Sequence, residues 1–331
     1  MSSSHSFSRL EITAISLLVS LIFYAILISF ILPFDASRAF AAPGYVNDTA
    51  TTLLNITNFA PRVINVLVDD INSSPVHEID LVSGTTRKVW CNGTVVDWNG
   101  KDDIIAVNAT LYFIANKSST PNDKNEHYSN RSCNAYRSGT YNKTYSCTFA
   151  VWFFANNGTW YCNMSAWDNG TANFDGRGAY NSSTNRTKVN PLYGLSVPPI
   201  INYGELALNK TSLTDKIENV TNTGNMNIDL QLYGYGGSVR IENNQSLKCR
   251  MGTIPIRNEH FSLTVDTAFE SMTNLSGQFA NPNDINNFNL AQRKSETINS
   301  TRNTYWKIRV PPVGVKGQCN GTIVFSSVID D

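Results

Sequence analysis

The triplet Asn-x-Ser/Thr (the sequon), which accepts N-linked glycan, recurs along this chain and restricts what its folded surface can be. Forty of the 331 residues are asparagine, and chance placement beside serine and threonine predicts roughly seven sequons. Nineteen are present, and this excess predicts an exported chain whose surface carries glycan along its length. The acceptor residues are Asn47, Asn55, Asn72, Asn92, Asn108, Asn116, Asn130, Asn142, Asn157, Asn163, Asn169, Asn181, Asn185, Asn209, Asn219, Asn244, Asn274, Asn299 and Asn320.

Residues 12–34 form an apolar segment without a charge, and every sequon lies after it. As a helix these 23 residues would be about 35 Å long, enough to cross a hydrocarbon core of about 30 Å. We predict a single transmembrane signal-anchor there, with residues 1–11 cytoplasmic and residues 35–57 as a small, polar stalk. The rest of the chain is then extracellular, which predicts a single-pass protein of the cell membrane.

Two alternatives stay open for this segment. A secretory signal peptide is cleaved after a small-x-small motif, and Ala39-Phe40-Ala41 supplies one. A pilin-type helix would instead pack the segment into a filament core. Arg9 and Glu11 fit that pattern, but the small residue at its processing position is missing. The apolar segment exceeds the usual length of about 7–15 residues in signal peptides, which favours the anchor.

The charge composition excludes one class of partner. There are 26 basic residues (Lys and Arg) and 26 acidic residues (Asp and Glu), so the net charge is zero. Only 16% of the residues are charged. Because there is no basic excess, binding to nucleic acid has no electrostatic basis. The abundant Asn, Ser and Thr, with their sugar, are expected to hydrate the surface instead.

Six cysteines, all beyond the apolar segment, predict disulfides in an exported chain. If each half folds separately, Cys249 pairs with Cys319. The four cysteines of the first half allow three pairings, between which the sequence does not decide. The set that we favour is Cys91 with Cys162 and Cys133 with Cys147. A zinc site is disfavoured, since no Cys-x-x-Cys or neighbouring histidine supplies the spacing.

In three places a sequon directly follows a cysteine, at Cys91-Asn92, Cys162-Asn163 and Cys319-Asn320. Neighbouring side chains of a strand point to opposite faces. A cysteine in the core therefore turns the next asparagine to solvent. The pattern predicts strands with core disulfides at all three places.

From Arg62 onward, short segments rich in Val, Ile, Thr and aromatic residues alternate with clusters of Gly, Asn, Asp and Ser. No convincing helical stripe occurs beyond the apolar segment. We predict an all-β fold with two tandem β-sandwiches, residues 58–190 and 200–331, joined by the proline-containing linker 191–199. The polar stretch 281–296 is expected to be a long loop or a short surface helix.

Residues 91–97, 99–104 and 107–112 have the sequences Cys-Asn-Gly-Thr-Val-Val-Asp, Asn-Gly-Lys-Asp-Asp-Ile and Val-Asn-Ala-Thr-Leu-Tyr. With the later segment 155–168, they resemble the immunoglobulin-like modules of uncharacterised archaeal cell-surface glycoproteins. The second half is similar to the partner sandwich of such proteins, so the resemblance covers roughly residues 58–331. It implies tandem immunoglobulin-like domains behind an N-terminal membrane anchor, and it implies no activity.

Familiar catalytic motifs are missing from the sequence. Its histidines are His5, His77, His127 and His260. None belongs to a His-Glu-x-x-His motif, and no Gly-x-Ser-x-Gly, P-loop or Gly-x-Gly-x-x-Gly motif occurs. Without a base beside a candidate nucleophile, we expect no enzymatic activity.

One acidic segment is a candidate for a calcium site, and we expect no other cofactor. Its oxygen-bearing residues surround a tight glycine turn, and Ca²⁺ takes six to eight such hard oxygen ligands. They are Asp97, Asn99, Asp102 and Asp103. A polar turn whose side chains bond their own backbone is the simpler interpretation. Asp168 lies in another loop that would add a ligand, but Asn169 beside it heads a sequon.

These features favour a membrane-anchored glycoprotein of the cell envelope with a structural role. A second hypothesis is an adhesion module that binds a partner or a glycan through its second domain, where residues 247–273 carry no sequon. A third is a self-assembling subunit of a surface layer or a pilus-like filament.

Overall fold

The computed structural model describes residues 48–70, 77–114, 121–169 and 180–329, and within them the chain is all-β. The chain divides into two compact units, residues 1–56 and 57–331. The predicted anchor, residues 12–34, lies outside the described residues. Among those that are described, no helix has the length and apolarity needed to cross a membrane.

The first half of the larger unit contains nine strands. They are β1 (Arg62–Asp70), β2 (Glu78–Ile79), β3 (Thr86–Val96), β4 (Ile104–Phe113), β5 (His127–Asn130), β6 (Asn134–Ser138), β7 (Asn142–Trp152), β8 (Gly158–Asp168) and β9 (Tyr180–Val189). One sheet has the order β1-β3-β7-β6 and the other the order β2-β9-β8-β4-β5. All neighbours are antiparallel except β2 and β9, which are parallel.

Side chains from both sheets fill one hydrophobic core, so this half is a two-layer β-sandwich. In β3, buried residues alternate with half-buried ones from Val89 to Val95. The core also contains Trp160 of β8, which is fully buried. Complete burial of one such apolar side chain contributes about 1.5–3 kcal/mol. The apolar residues that alternate along the sequence of β3 are thus the ones whose side chains point into the core.

The second half contains ten strands in two further sheets. They are β10 (Leu195–Ser196), β11 (Lys216–Asn222), β12 (Ile228–Gly236), β13 (Gln245–Met251), β14 (Thr253–Pro255), β15 (Glu259–Ser262), β16 (Thr273–Asn274), β17 (Asn283–Leu290), β18 (Thr301–Ile308) and β19 (Lys316–Ile329). The sheet orders are β10-β11-β18-β15-β16 and β14-β13-β19-β12-β17. Residues of both sheets, among them Leu230, Phe288 and Trp306, form the main core between them. Short 3-10 turns cover Lys101–Asp103, Ile256–Asn258 and Phe269–Ser271.

Three disulfides brace these sheets, and their pairing is the one that the sequence analysis favoured. Two lie in the first half, Cys91–Cys162 and Cys133–Cys147, and the third is Cys249–Cys319. The first joins β3 of one sheet to β8 of the other across the core, and both of its cysteines are fully buried. Asn92 and Asn163, which follow these cysteines, are partly exposed, as the alternation along a strand requires.

The expectation of a loop or a surface helix over residues 281–296 is wrong, because this stretch contains strand β17 (Asn283–Leu290). Its buried residues, Ile285, Phe288 and Leu290, are not spaced evenly at two. The pairing with β12 shifts register in this region, where Asn289 has a positive φ of 44°. This irregularity breaks the alternation that identifies a strand in a sequence.

The predicted linker, residues 191–199, is held against the second half. The backbone N–H of Thr223 donates to Gly194 O (2.9 Å), and that of Asn225 donates to Leu192 O (2.9 Å). A Cβ atom on Gly224 would lie 2.1 Å from Leu192 O, so only glycine allows this approach. The connection is therefore a packed part of the larger unit.

Candidate functional site

Three aspartates from separate elements meet at one end of the first sandwich. Asp97 follows β3, Asp103 ends the 3-10 turn that leads into β4, and Asp168 is the last residue of β8. The pairing of β4 with β8 places Ile104 opposite Asp168 and so brings the third aspartate to the first two. One oxygen from each of the three carboxylates lies within 4.8 Å of the others.

Asp97 is the most constrained member of this acidic cluster, which is defined as Asp97, Asp103 and Asp168. It is 0% exposed, and its Oδ1 accepts a hydrogen bond from the backbone N–H of Asn99 at 2.9 Å. Its Oδ2 is buried and has no hydrogen-bond partner among the described residues. A buried oxygen without a donor is unfavourable, so this atom marks a place for a positive or proton-bearing group.

The electrostatics of the cluster agree with its geometry. Burial raises the pKa of the Asp97 carboxyl, and the neighbouring charges of Asp103 and Asp168 raise it further. The backbone N–H groups of Asn99 and Gly100 oppose this rise. The negative form of Asp97 is therefore disfavoured by its surroundings unless a cation joins them.

Two further ligands proposed from the sequence, Asp102 and Asn99, have other polar partners. The Asp102 side chain is 78% exposed and forms ion pairs with Lys101 (2.7 Å) and Lys143 (3.1 Å). Hydrogen bonds from these two lysines lower the pKa of Asp102. Asn99 Oδ1 accepts a hydrogen bond from the backbone N–H of Phe59 at 2.6 Å. The Asp102 side chain therefore faces solvent and its two lysines, and Asp103 is the residue of this turn that joins the cluster.

The chain that enters the sandwich is bonded to the same end. Asn58 Nδ2 donates to Asp168 Oδ2 at 2.8 Å, and Phe59 is bonded to Asn99 as described above. Asn169, which heads a sequon, is exposed, while its backbone N–H donates to Asp103 O at 2.8 Å. Asp168 therefore joins the cluster without drawing the glycan acceptor into it.

The sequon asparagines occupy the surface. Sixteen of the nineteen fall within the described residues, since Asn47, Asn72 and Asn116 do not, and none of the sixteen is buried. The buried asparagines of the described chain are Asn125, Asn222 and Asn225, and none of these heads a sequon. No buried asparagine of the described chain is therefore an acceptor, although acceptors such as Asn130 and Asn185 are only partly exposed and donate to backbone carbonyls.

Glu259 is a buried carboxyl that the sequence analysis missed. It is 2% exposed, and it accepts hydrogen bonds from the hydroxyl groups of Tyr203 (2.7 Å) and Ser246 (2.5 Å). Burial raises the pKa of Glu259, and the hydrogen bonds from Ser246 and Tyr203 partly oppose the rise. The sequence contains no signal for this group, because its partners lie 56 and 13 residues away.

Two of the histidines take part in structural hydrogen bonds. His260 Nδ1 lies 2.9 Å from Phe269 O and its Nε2 lies 2.9 Å from Arg257 O. The His260 ring also stacks on Phe269, with 4.0 Å between ring centroids. His127 Nδ1 lies 3.2 Å from Asn122 Oδ1.

Comparison with known proteins finds no family model and no curated protein that matches this chain.

Proposed function

We propose that this chain is a membrane-anchored, N-glycosylated surface protein that has a structural role in the cell envelope and no catalytic activity. In finer detail, two tandem immunoglobulin-like sandwiches follow a single transmembrane helix, as in the archaeal glycoproteins that the sequence resembles. The observation that carries the proposal is that none of the sixteen described acceptor asparagines is buried.

Exposure of these residues is not a trivial consequence of their polarity. Asparagine does occur inside the described part of this protein, at Asn125, Asn222 and Asn225. All sixteen described sequons avoid such positions, and all but Asn55 lie on the two sandwiches. This is the distribution that a glycan coat requires. The three disulfides also suit an oxidising compartment outside the cytoplasm.

In this role the two sandwiches form a braced scaffold, and the glycan hydrates and shields it. Only 16% of the residues are charged, so sugar takes over the solvation that charged side chains usually supply. The apolar segment, residues 12–34, attaches the scaffold to the membrane.

Intact mass and glycopeptide mapping of the protein isolated from its own membrane test this proposal. We expect residues 1–34 to be retained and sugar to be present on most of the sixteen described acceptors. If the mature chain began near Ala42, the protein would be secreted and not anchored. Bare sequons throughout would remove the basis of the proposal.

A second candidate function, adhesion through the second sandwich, is favoured by one specific observation. Residues 247–273 carry no sequon and present Met251 (61% exposed) and Val265 (50% exposed). A segment without glycan acceptors leaves protein surface open to a partner or to a further copy of the chain. Sedimentation over a wide range of protein concentrations distinguishes these outcomes. A mass that grows with concentration supports a surface layer or filament subunit, and a constant monomer mass excludes that form of assembly.

A further inference from the structure

We propose that Asp97, Asp103 and Asp168 bind a calcium ion at the end of the first sandwich. Two observations support this proposal: Asp97 has a buried Oδ2 with no hydrogen-bond partner among the described residues, and one oxygen of its carboxylate lies within 4.8 Å of an oxygen of Asp103 and of Asp168. Folding normally supplies a partner to a buried oxygen. Here the nearest groups of the cluster are two further carboxylates, which cannot donate a hydrogen bond when ionised.

A cation resolves this arrangement, and the donor set selects its class. The cluster offers carboxylate oxygens and no nitrogen or sulfur, which suits a hard divalent ion and not zinc. The three carboxylates supply at least one ligand oxygen each, and water completes the shell of six to eight that Ca²⁺ accepts. Mg²⁺ demands a tighter and near-ideal octahedron, whereas these ligands come from three separate elements.

The ion would have a defined mechanical effect. Asp97 and Asp103 flank the loop that crosses from β3 in one sheet to β4 in the other, and Asp168 closes β8. Calcium therefore ties the two sheets together at this end. It also fixes the residues to which the start of the unit is bonded, through Asn58 to Asp168 and Phe59 to Asn99. The rigidity of the chain where it enters the sandwich then depends on calcium.

Calorimetric titration of the full chain in detergent, treated with EDTA and then titrated with CaCl₂, tests the proposal. We expect a saturable heat of binding. At calcium a hundredfold above the dissociation constant, we expect the melting temperature to rise by about 5–10 °C. Asp103→Asn, at a partly exposed position, should fold normally and weaken calcium binding about tenfold or more, because the site loses one charge.

Asp102→Asn is the matched control. It removes the same charge one residue away, from a side chain that is exposed and paired with lysines. We expect it to bind calcium like the unaltered protein. Asp97→Asn supplies a second readout, because it should abolish binding and yet raise the melting temperature in EDTA by removing a buried, repelled charge.

Three results would overturn the proposal. The first is that millimolar CaCl₂ produces neither a heat of binding nor a shift of the melting temperature. A proton on Asp97 would then neutralise the cluster instead of calcium. The second is an equal loss of binding in Asp102→Asn and Asp103→Asn. The third is an equal thermal shift with MgCl₂ at the same concentration, which would indicate screening of surface charge.

Discussion

Single asparagines in this protein differ in accessibility even when they share the same tripeptide. Asn92 and Asn320 both occur in Cys-Asn-Gly-Thr. Asn92 lies in the middle of β3 between β1 and β7, and its Oδ1 is buried without a hydrogen-bond partner. Asn320 lies on β19 and is exposed. The folded chain therefore offers these two amides very differently.

We expect Asn320 to be glycosylated in nearly every molecule and Asn92 in a minor fraction. A sugar on Asn92 requires this partly buried side chain to turn out of its packed position on the face of the sheet, which destabilises the folded sheet. Glycopeptide mass spectrometry after proteolysis measures both occupancies in one sample. Because the sequon is identical, local sequence preference cannot cause a difference. Equal occupancy at the two positions would contradict the prediction.

Glu259 predicts a dependence of stability on pH. Its raised pKa means that, between the ordinary value of 4.5 and the higher folded value, the folded state holds a proton that the unfolded state has released. Its contribution to stability is therefore complete below the ordinary pKa and is lost as the pH rises through the folded one. Glu259→Gln imitates the protonated form, so we expect its melting temperature to fall less between pH 5 and pH 8.

Thermal melts across that pH range make the comparison, with Glu205→Gln as a control at an exposed position. The control should follow the unaltered protein at every pH. If Glu259→Gln kept the original pH dependence, another group would have to carry it. A loss of stability at all pH values by the same amount would assign Glu259 a purely geometric role.

At the scale of elements, the disulfides differ in what they join. Cys91–Cys162 and Cys249–Cys319 close loops of nearly equal length, with sequence separations of 71 and 70. The first links two sheets through fully buried sulfurs, whereas the second links the adjacent strands β13 and β19, and Cys319 is partly exposed. Loop entropy alone assigns each about 4 kcal/mol.

We expect the pair Cys91→Ala and Cys162→Ala to lower the free energy of unfolding by more than the pair Cys249→Ala and Cys319→Ala. The cavity left in the first core adds to the lost loop constraint, which is the same for both. Urea unfolding of the two double variants measures the difference. Equal losses would show that chain entropy dominates and that the core repacks around the smaller side chains.

The regular strands were predictable, because their buried residues alternate at a period of two, as in β3. The cysteine pairing was predictable only as a preference. The structure places Cys91 and Cys147 directly opposite each other on β3 and β7. A pairing between these two cysteines was one of the alternatives that the sequence did not exclude. Strand β17 escaped prediction because its irregular pairing separates Ile285 from Phe288 by three residues. Local sequence patterns predict regular strands well. They fail where pairing with a neighbouring strand determines the position of a residue or an irregularity in the strand.

The acidic cluster shows the same limit. The sequence indicated Asp97 and Asp103, which lie close together in the chain. It proposed Asp102, which the turn directs toward Lys101 and Lys143. The cluster itself includes Asp168, which reaches it through the register of β4 against β8. The sequence offered Asp168 only as an additional ligand from another loop, because strand pairing that joins residues 65 positions apart leaves no signature in local spacing.

At the scale of the whole molecule, the two sandwiches meet in a polar and aromatic joint that the sequence did not indicate. Phe153 and Phe154 of the first half are buried, and the Arg293 guanidinium of the second half lies 5.6 Å and 4.9 Å from their ring centroids. Gln292 Nε2 donates to Phe154 O at 2.7 Å. The proline-containing connection suggested independent domains, but these contacts bind them to each other.

Asn225 is the central hydrogen-bonding residue of this joint and is 1% exposed. Its Nδ2 donates to Ala155 O (3.0 Å) and Asn190 O (3.1 Å), and its Oδ1 accepts from the backbone N–H of Leu192 (2.6 Å). Asn225→Ala would leave three backbone groups without this partner, at about 1–3 kcal/mol for each group that stays buried and unpaired.

We therefore expect the unaltered protein to melt in one calorimetric transition and Asn225→Ala to melt in two, the less stable sandwich unfolding first. Coupled sandwiches unfold together only while the joint contributes more than the difference between their own stabilities. Asn286→Ala, an exposed asparagine on β17, serves as the control and should keep the single transition. Two transitions already present in the unaltered protein would show that the joint aligns the sandwiches without coupling their stability. A single transition in Asn225→Ala would place the coupling in the contacts of Arg293 and Gln292.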